Sequence, residues 1–258
     1  VSKLTWDTVG SRTYETGVDR GVLYIPDGTG AYTTGFAWSG LTKVTEKPTG
    51  AAATPLYADN IKYLNLISTE YFTADLAAYT YPNEFAQCDG TLQPEPGVAI
   101  GQQARKTFGL SYRTKVGNDL VGTDAGYKLH LVYGAFAAPS QKDFATVNDN
   151  PTAIEFSWSV TTTPVAVTGY KPTATLTIDS TKVDPTALTT LENFLYGTVG
   201  TNPSLPTPDA VLALFAGTVL TAVPVAPTYT AGTHTITIPS VTGITYYING
   251  LPVTGGVV

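Results

Sequence analysis

RKTFGLSYRTKVGNDLVGTDAGYKLHLVYGAFAAPSQKDF, residues 105–144, and NDNPTAIEFSWSVTTTPVAV, residues 148–167, decide the fold class. Three runs within them alternate apolar and polar side chains. Phe108, Leu110 and Tyr112 alternate with Thr107, Ser111 and Arg113. Leu129, Leu131, Tyr133 and Ala135 alternate with Lys128, His130 and Val132, and Ile154, Phe156, Trp158 and Val160 with Glu155, Ser157 and Ser159. Side chains of a strand point to opposite faces in turn, so a period of two predicts strands with one buried face. The stretches between them, Gly117 to Gly126 and Asn148 to Pro151, carry turn chemistry. The expectation is a mainly β protein with an antiparallel sandwich or barrel at its centre.

Upstream, Gly21 to Ile25 is a short apolar run ended by Pro26, Asp27 and Gly28, which predicts a buried strand and a turn. Gly35 to Leu41 predicts a second strand. Thr42 to Pro55, with Lys43, Glu46, Lys47 and Pro48, is polar and interrupted, and is expected to be a long loop. Ile61 and Tyr63 flank Lys62 as in a strand, Ser68 and Thr69 mark a break, and a further strand is expected near Tyr71 to Tyr79. Pro94 and Pro96 argue against regular structure from Gln93 to Gly97.

Downstream, Ala174, Leu176 and Ile178 alternate with threonines as a strand. Asp184 is a suitable N-cap and Pro185 a suitable first helical residue. Ala187, Leu188, Leu191, Phe194 and Leu195 then form an apolar stripe, and Gly197 is the natural stop, so one helix is expected near 184–196, flanking a sheet. A shorter helix is expected from Pro208 to Phe215, capped by Thr207. After Glu192 the only charged side chain is Asp209. Residues 1–197 are therefore read as one β domain with its helix and 198–222 as a linker. Residues 223–258 are read as a small β appendage joined through Pro224 and Pro227, with a hairpin turn at Asn249-Gly250.

Charged residues make up 13% of the chain, Tyr (16) outnumbers Phe (9), and the formal net charge is −6. Such a surface lacks the Lys and Arg that displace counterions from nucleic acid, which argues against tight wrapping of DNA. Cys88 is the only cysteine, so a disulfide framework or cysteine-based zinc site within one chain is excluded. A start at Val1 fits removal of an initiator, and no signal peptide or membrane-inserting apolar run is read.

Several phrases arrive in one order: YADNIKYLNLISTEYF (57–72), AYTYPNEFAQCDG (78–90), TFGLSYRTKVGND (107–119), GYKLHLVYGAFAAPS (126–140) and FSWSVTTTPV (156–165). In this wording the chain resembles the major tail proteins of long-tailed bacteriophages, particularly those of actinobacteria, over roughly 57–196. The resemblance implies a tail tube subunit: a β-sandwich with a flanking helix, closing into rings of six that stack through loops and termini. It also implies a virion location after assembly in the host cytoplasm, and a lumen through which DNA passes unbound. Its implied partners are further copies of itself, the tape measure, the tail terminator and the distal tail protein.

Candidate inter-subunit residues are Lys43, Glu46 and Lys47 in the polar stretch, the basic group Arg105, Lys106, Arg113 and Lys115, and the turn acids Asp119 and Asp124. No catalytic residue, cofactor or metal is expected. His130 and His234 lie far apart without a cysteine between them, and no nucleophile elbow, phosphate loop or His-Glu-x-x-His occurs. Asp119 with Asp124, and Asp143 with Asp149, are turn residues before they are a hydrolytic pair. Asn148, Asp149, Asn150 and Glu155 offer too few oxygens for calcium. The competing reading is a β-sandwich adhesin or carbohydrate-binding module using exposed Tyr and Trp.

Overall fold

The computed structural model describes residues 3–147, 149 and 152–216, and beyond them the strand residues 228–230, 235–238, 246–248, 251–253 and 256–257. The protein is mainly β, 48% strand and 12% helical, with antiparallel sheets. In chain order the elements are β1 (Thr13–Ile25), β2 (Thr34–Trp38), β3 (Leu41–Glu46), β4 (Ala53–Ala58), β5 (Ile61–Ile67) and β6 (Thr73–Ala78). A 3-10 turn, Asn83–Gln87, leads to β7 (Leu92–Glu95), β8 (Val98–Ile100), β9 (Phe108–Asn118) and β10 (Gly122–Ala137). Then come β11 (Phe156–Thr162), β12 (Val165–Val167), β13 (Tyr170–Thr173), β14 (Thr175–Asp179), α1 (Pro185–Tyr196) and α2 (Pro208–Phe215).

The main sheet runs β2-β1-β9-β10-β11-β6-β3, with β14 also paired to β10. Its two end strands, β2 and β3, are joined by only Ser39 and Gly40. A connection that short spans at most about 11 Å between Cα atoms, so the sheet must curl until its ends meet. Packing at Gly21 confirms the closure: a Cβ there would lie 3.1 Å from Leu41 Cδ2 and 3.2 Å from Trp38 Cβ.

Curling encloses one core. Leu23, Trp38, Leu76, Phe85, Phe108, Leu110, Tyr112, Val132, Ala135, Trp158 and Val160 fill it. The 3-10 turn plugs one end with Phe85, whose ring lies 4.7 Å from Trp38, 5.1 Å from Trp158 and 5.4 Å from Phe108. A second core lies on the outer face, where Val22, Tyr24, Leu129, Leu131, Tyr133 and Ile178 meet Leu188, Leu191 and Leu195 of α1 and Val211 of α2. The expectation of one buried face is therefore corrected. Residues 108–112 are buried without a break because Leu205 and Tyr32 pack over Gly109 and the Tyr24 hydroxyl meets that of Ser111.

The helix starts where its capping residues place it. Asp184 Oδ1 accepts from the Ala187 N–H at 2.8 Å, Pro185 opens the first turn, and Gly197 ends it at φ 75°. Phe194 of the expected stripe is 41% exposed and stays outside the core. The second helix is capped as expected by Thr207, whose Oγ1 accepts from the Ala210 N–H at 3.3 Å.

Other expectations need correction. Ala135 shares the inner core, not the outer face of Leu129, Leu131 and Tyr133, because a bulge at Gly134 (φ 58°) shifts the register between Val132 and Ala135. Ile154 precedes β11 and is exposed. The segment from Thr42 to Pro55 is not one loop, since β3 and β4 occupy both its ends. Pro94 lies inside β7, which pairs with β8 as a small exposed hairpin; an edge strand tolerates a missing N–H. Most of Gly117 to Gly126 is strand, and the turn narrows to Asp119–Val121, with Asn118 Oδ1 accepting from the Leu120 and Val121 N–H groups.

By internal contacts the chain divides into Val1–Phe215 and Ala216–Val258. Residues 198–215, with α2, fold with the first unit. In the second, Thr228–Thr230 pairs with Thr235–Ile238, which also pairs with Gly256–Val257, and Tyr246–Ile248 pairs with Leu251–Val253. The turn at Asn249-Gly250, the junction at Pro224 and Pro227, His234, and the turn and calcium-type residues Asn148, Asn150 and Pro151 lie outside the described residues.

The bulge gives the first prediction. A Cβ on Gly134 would sit 2.4 Å from Thr163 O, at a φ that L-residues avoid. Gly134→Ala should destabilise the unit by at least about 2 kcal/mol, seen as a lower urea midpoint with an unchanged slope.

Candidate functional site

The ladder between β3 and β6 does not stop at the barrel. Beyond Glu46↔Ala74, the Lys47 N–H donates to Thr73 O at 2.7 Å and Thr49 bridges Tyr71. Strands β4 and β5 then pair from Ala53↔Ile67 to Ala58↔Ile61. Asp59 and Asn60 close the tip with φ of 49° and 63°, the twist a two-residue hairpin turn requires. Together these form one two-stranded arm on the order of 35 Å long at about 3.3 Å per residue. Every residue from Lys47 to Tyr71 is exposed.

Its composition does not suit water. Cross-strand pairing puts Leu56, Leu64, Leu66 and, beyond a register shift, Ile61 on one face, and Tyr57 and Ile67 on the other. Exposures are 39–65% on the first face and 70–71% on the second. Between Ala53 and Ile67 the only charged side chains are Asp59 and Lys62. An isolated two-stranded hairpin is marginal in water, and a contiguous exposed apolar surface marks a site of interaction. Here both faces qualify.

At its root the arm is tied to the barrel. Val44 packs in the inner core, so Glu46, two residues on, also points inward. Its Oε1 accepts from Tyr112 OH at 2.5 Å and stands 3.2 Å from His130 Nδ1. The His130 ring stacks on Tyr112 at 4.7 Å and 3°, and its Nε2 lies 3.0 Å from Thr114 Oγ1. The close approach of His130 first, and the hydrogen bond from Tyr112, hold the Glu46 carboxyl below the usual range, while burial pushes the Tyr112 phenol up.

The nine charged candidates do not form one patch. Arg113 is bidentate to Asp19, with Nε and Nη2 each 2.7 Å from a carboxylate oxygen, and lies over the Tyr127 ring. Arg105 turns inward, its Nη1 donating to Ala137 O at 3.2 Å and reaching Asp89 at 3.4 Å. Phe108 and Tyr112, which interleave with these cations in sequence, are buried. Lys47 pairs with Asp75 at the foot of the arm, and Asp119 accepts from the Gly10 N–H at 2.9 Å. Lys43, Lys106 and Asp124 are exposed and Lys115 is half-buried; none of these four makes an ion pair among the described residues. Lys43, Glu46 and Lys47 alone among the nine lie on the strand that becomes the arm. The aromatic and aliphatic side chains of the arm went unread as a site, although Asp59-Asn60 between apolar runs signals a hairpin.

Asp89, 8% exposed, is the one buried acid among the described residues. Its Oδ1 accepts from Trp158 Nε1 at 3.1 Å and its Oδ2 from Lys142 Nζ at 2.5 Å, with Arg105 beside them. It borders a cleft of about 300 Å³ lined also by Tyr81, Asn83, Gln93 and Phe156. Among the described residues no three His, Cys, Asp or Glu side chains are grouped to hold a metal, and no helix is long and apolar enough to cross a membrane.

No protein-family model matches this chain, and a search of curated proteins finds no match.

Two outcomes follow from the ion pairs. Asp89→Ala strands two cations at a buried site and should cost about 3–5 kcal/mol, whereas Lys47→Ala, in an exposed pair, should change stability by less than about 0.5 kcal/mol; chemical denaturation of both separates them. The Asp19 carboxyl is held below its usual range first by its hydrogen bond from Arg113. A depressed folded pKa adds stability above the unfolded value near 3.9, and this is lost as the pH falls through the folded value. Denaturation between pH 2 and pH 6 should accordingly show a shallower acid decline in Asp19→Asn than in the parent.

Proposed function

We propose that this chain is the structural subunit of a bacteriophage tail tube, assembling with copies of itself into stacked rings, six to a ring by family analogy. The observation that carries the reading is the arm: an exposed hairpin, apolar on both faces, that has no cover within the described residues. One partner surface would cover one face. Two faces call for an assembly in which each subunit is gripped between others, and head-to-tail contacts of that kind close into rings or continue as filaments. The resemblance of residues 57–196 to major tail proteins supports the same reading, as does the curled antiparallel sheet with its flanking helix.

The role is mechanical, with no substrate to turn over. The net charge of −6 suits a conduit through which DNA slides, since like charge and sparse Lys and Arg give the phosphates little to hold. The chain belongs in the virion, after assembly in the host cytoplasm, with the tape measure, tail terminator and distal tail protein as neighbours. Binding of glycan by an adhesin-like monomer is the competing outcome.

Negative-stain electron microscopy of the purified chain should show hollow tubes or rings. A variant with Ala53–Ile67 replaced by a short turn should keep its fold and lose the tubes. A parent that stays monomeric at high concentration, or a trimmed variant that forms tubes of normal length, would overturn the reading.

A further inference from the structure

We infer that Glu46 is the positioning residue of the arm: with its side chain 44% exposed at the end of β3, it links that strand to Tyr112 and His130 and sets the angle at which the arm leaves the body. Its effect on assembly rests on the tail tube reading; its effect on the arm does not.

Glu46 occupies the last position at which β3 still belongs to the barrel. From Lys47 outward no described side chain of the arm is buried. The backbone ladder alone leaves a two-stranded ribbon able to twist and bend at its root, because neither face there is packed. The Glu46 side chain, itself exposed, links this end of β3 to two other strands. Its acceptor oxygen meets Tyr112 on β9 and His130 on β10, strands with paired neighbours on both sides. The least supported part of the molecule is thus pinned to its best supported part.

The partners are prepared for a carboxylate and for little else. Tyr112 is 2% exposed, and Glu46 is the acceptor its hydroxyl reaches among the described residues. Stacking fixes the His130 ring, and Thr114 takes Nε2. Nδ1 is buried, and no hydrogen bond aligns with it; Glu46 Oε1 stands just off that line. The carboxylate therefore lies between two donors that nothing else in the described unit satisfies. An inward charge at the end of an edge strand also stops that strand from extending its pairing in the barrel.

Other polar groups near this end of the barrel are arranged not to compete. Lys128, on β10 two residues before His130, is paired with Glu15 of β1, and Thr114 is already engaged. Lys47 holds Asp75 on the outside of the ladder, opposite in direction to Glu46, so the root is gripped from both faces.

The test is hydrogen exchange on the full chain, read on the size-fractionated unassembled species, for the parent, Glu46→Ala, Glu46→Gln and Tyr112→Phe. In Glu46→Ala the amides of Lys47, Thr49 and Tyr71 should exchange faster by roughly tenfold or more, the scale of one charge-assisted hydrogen bond. Amides of β9 and β10 should be unchanged. Glu46→Gln, which keeps an acceptor for Tyr112, should recover much of the protection, and Tyr112→Phe should resemble Glu46→Ala. Nitrogen NMR of His130 should report the Nδ1–H tautomer in the parent and its loss in Glu46→Ala. Root amides that exchange as in the parent, or protection lost equally along β9 and β10, would overturn the inference. Microscopy of the same variants tests assembly separately: a parent without tubes sinks the tail tube reading and leaves the exchange result standing.

Discussion

Strands β9 and β10 are buried on both faces over Phe108–Tyr112 and Leu131–Tyr133, although β9 is apolar on only one, so the sheet that holds them must be covered twice, and the unit Val1–Phe215 is arranged around how the two covers are supplied. The inner cover comes from the sheet itself, which curls until β2 and β3 meet and encloses Phe85, Phe108 and Trp158. The outer cover comes from helix α1, whose Leu188, Leu191 and Leu195 settle on Tyr24, Leu131 and Tyr133. Each fully buried leucine contributes about 1.5–3 kcal/mol, and neither cover can be dropped without exposing the other side of the same strands. Gly134 then divides the labour: upstream of it β10 serves the outer core with odd-numbered residues, and downstream of it with none, since Ala135 and Ala137 both turn inward.

What could be read from the residues was whatever is local. Helix α1 was legible because its cap, its proline and its stripe all lie within one short stretch. The strands were legible because alternation is a property of neighbours in sequence. The face on which Ala135 falls was not, since the bulge is held by Tyr32 and Thr163, whose hydroxyl and amide meet Gly134 from distant parts of the chain. Likewise Thr42 to Pro55 looked like a loop because its partner strands, β6 and β5, come later. Polarity in β3 reflects a strand with little behind it. The anchoring cluster was beyond reach for the same reason: Glu46, Tyr112 and His130 come from three strands, and only the closure of the barrel brings them to one point.

The charged candidates are dispersed by the fold. Arg105 and Arg113 seemed outward-looking because they are charged, yet burial of their side chains is offset by Asp89 and Asp19, each within hydrogen-bond or ion-pair reach. Interfaces are enriched in aromatic side chains and depleted of charge at their centres. On the proposed reading, Tyr57, Tyr63 and Ile67 suit the centre of an interface better than Lys106 or Asp124.

Energetics decide what the arm demands of a partner. Its large side chains from Leu56 to Ile67 each have 39–71% of their surface still to bury, worth about 1 kcal/mol apiece, or several kcal/mol for one arm. Association of two bodies costs on the order of 4–15 kcal/mol in lost freedom. One arm on one surface thus comes out near balance, and a dimer held that way is weak. On the proposed reading, a subunit enters an assembly with its arm gripped while it grips another's, so that the entropic cost falls once and the burial counts twice. Growth is then favourable where initiation is not. A barrel rigid enough to aim the arm, through Glu46 and the wall of β9 and β10, lowers the cost of each addition further, because a pre-set arm has less freedom to lose on docking.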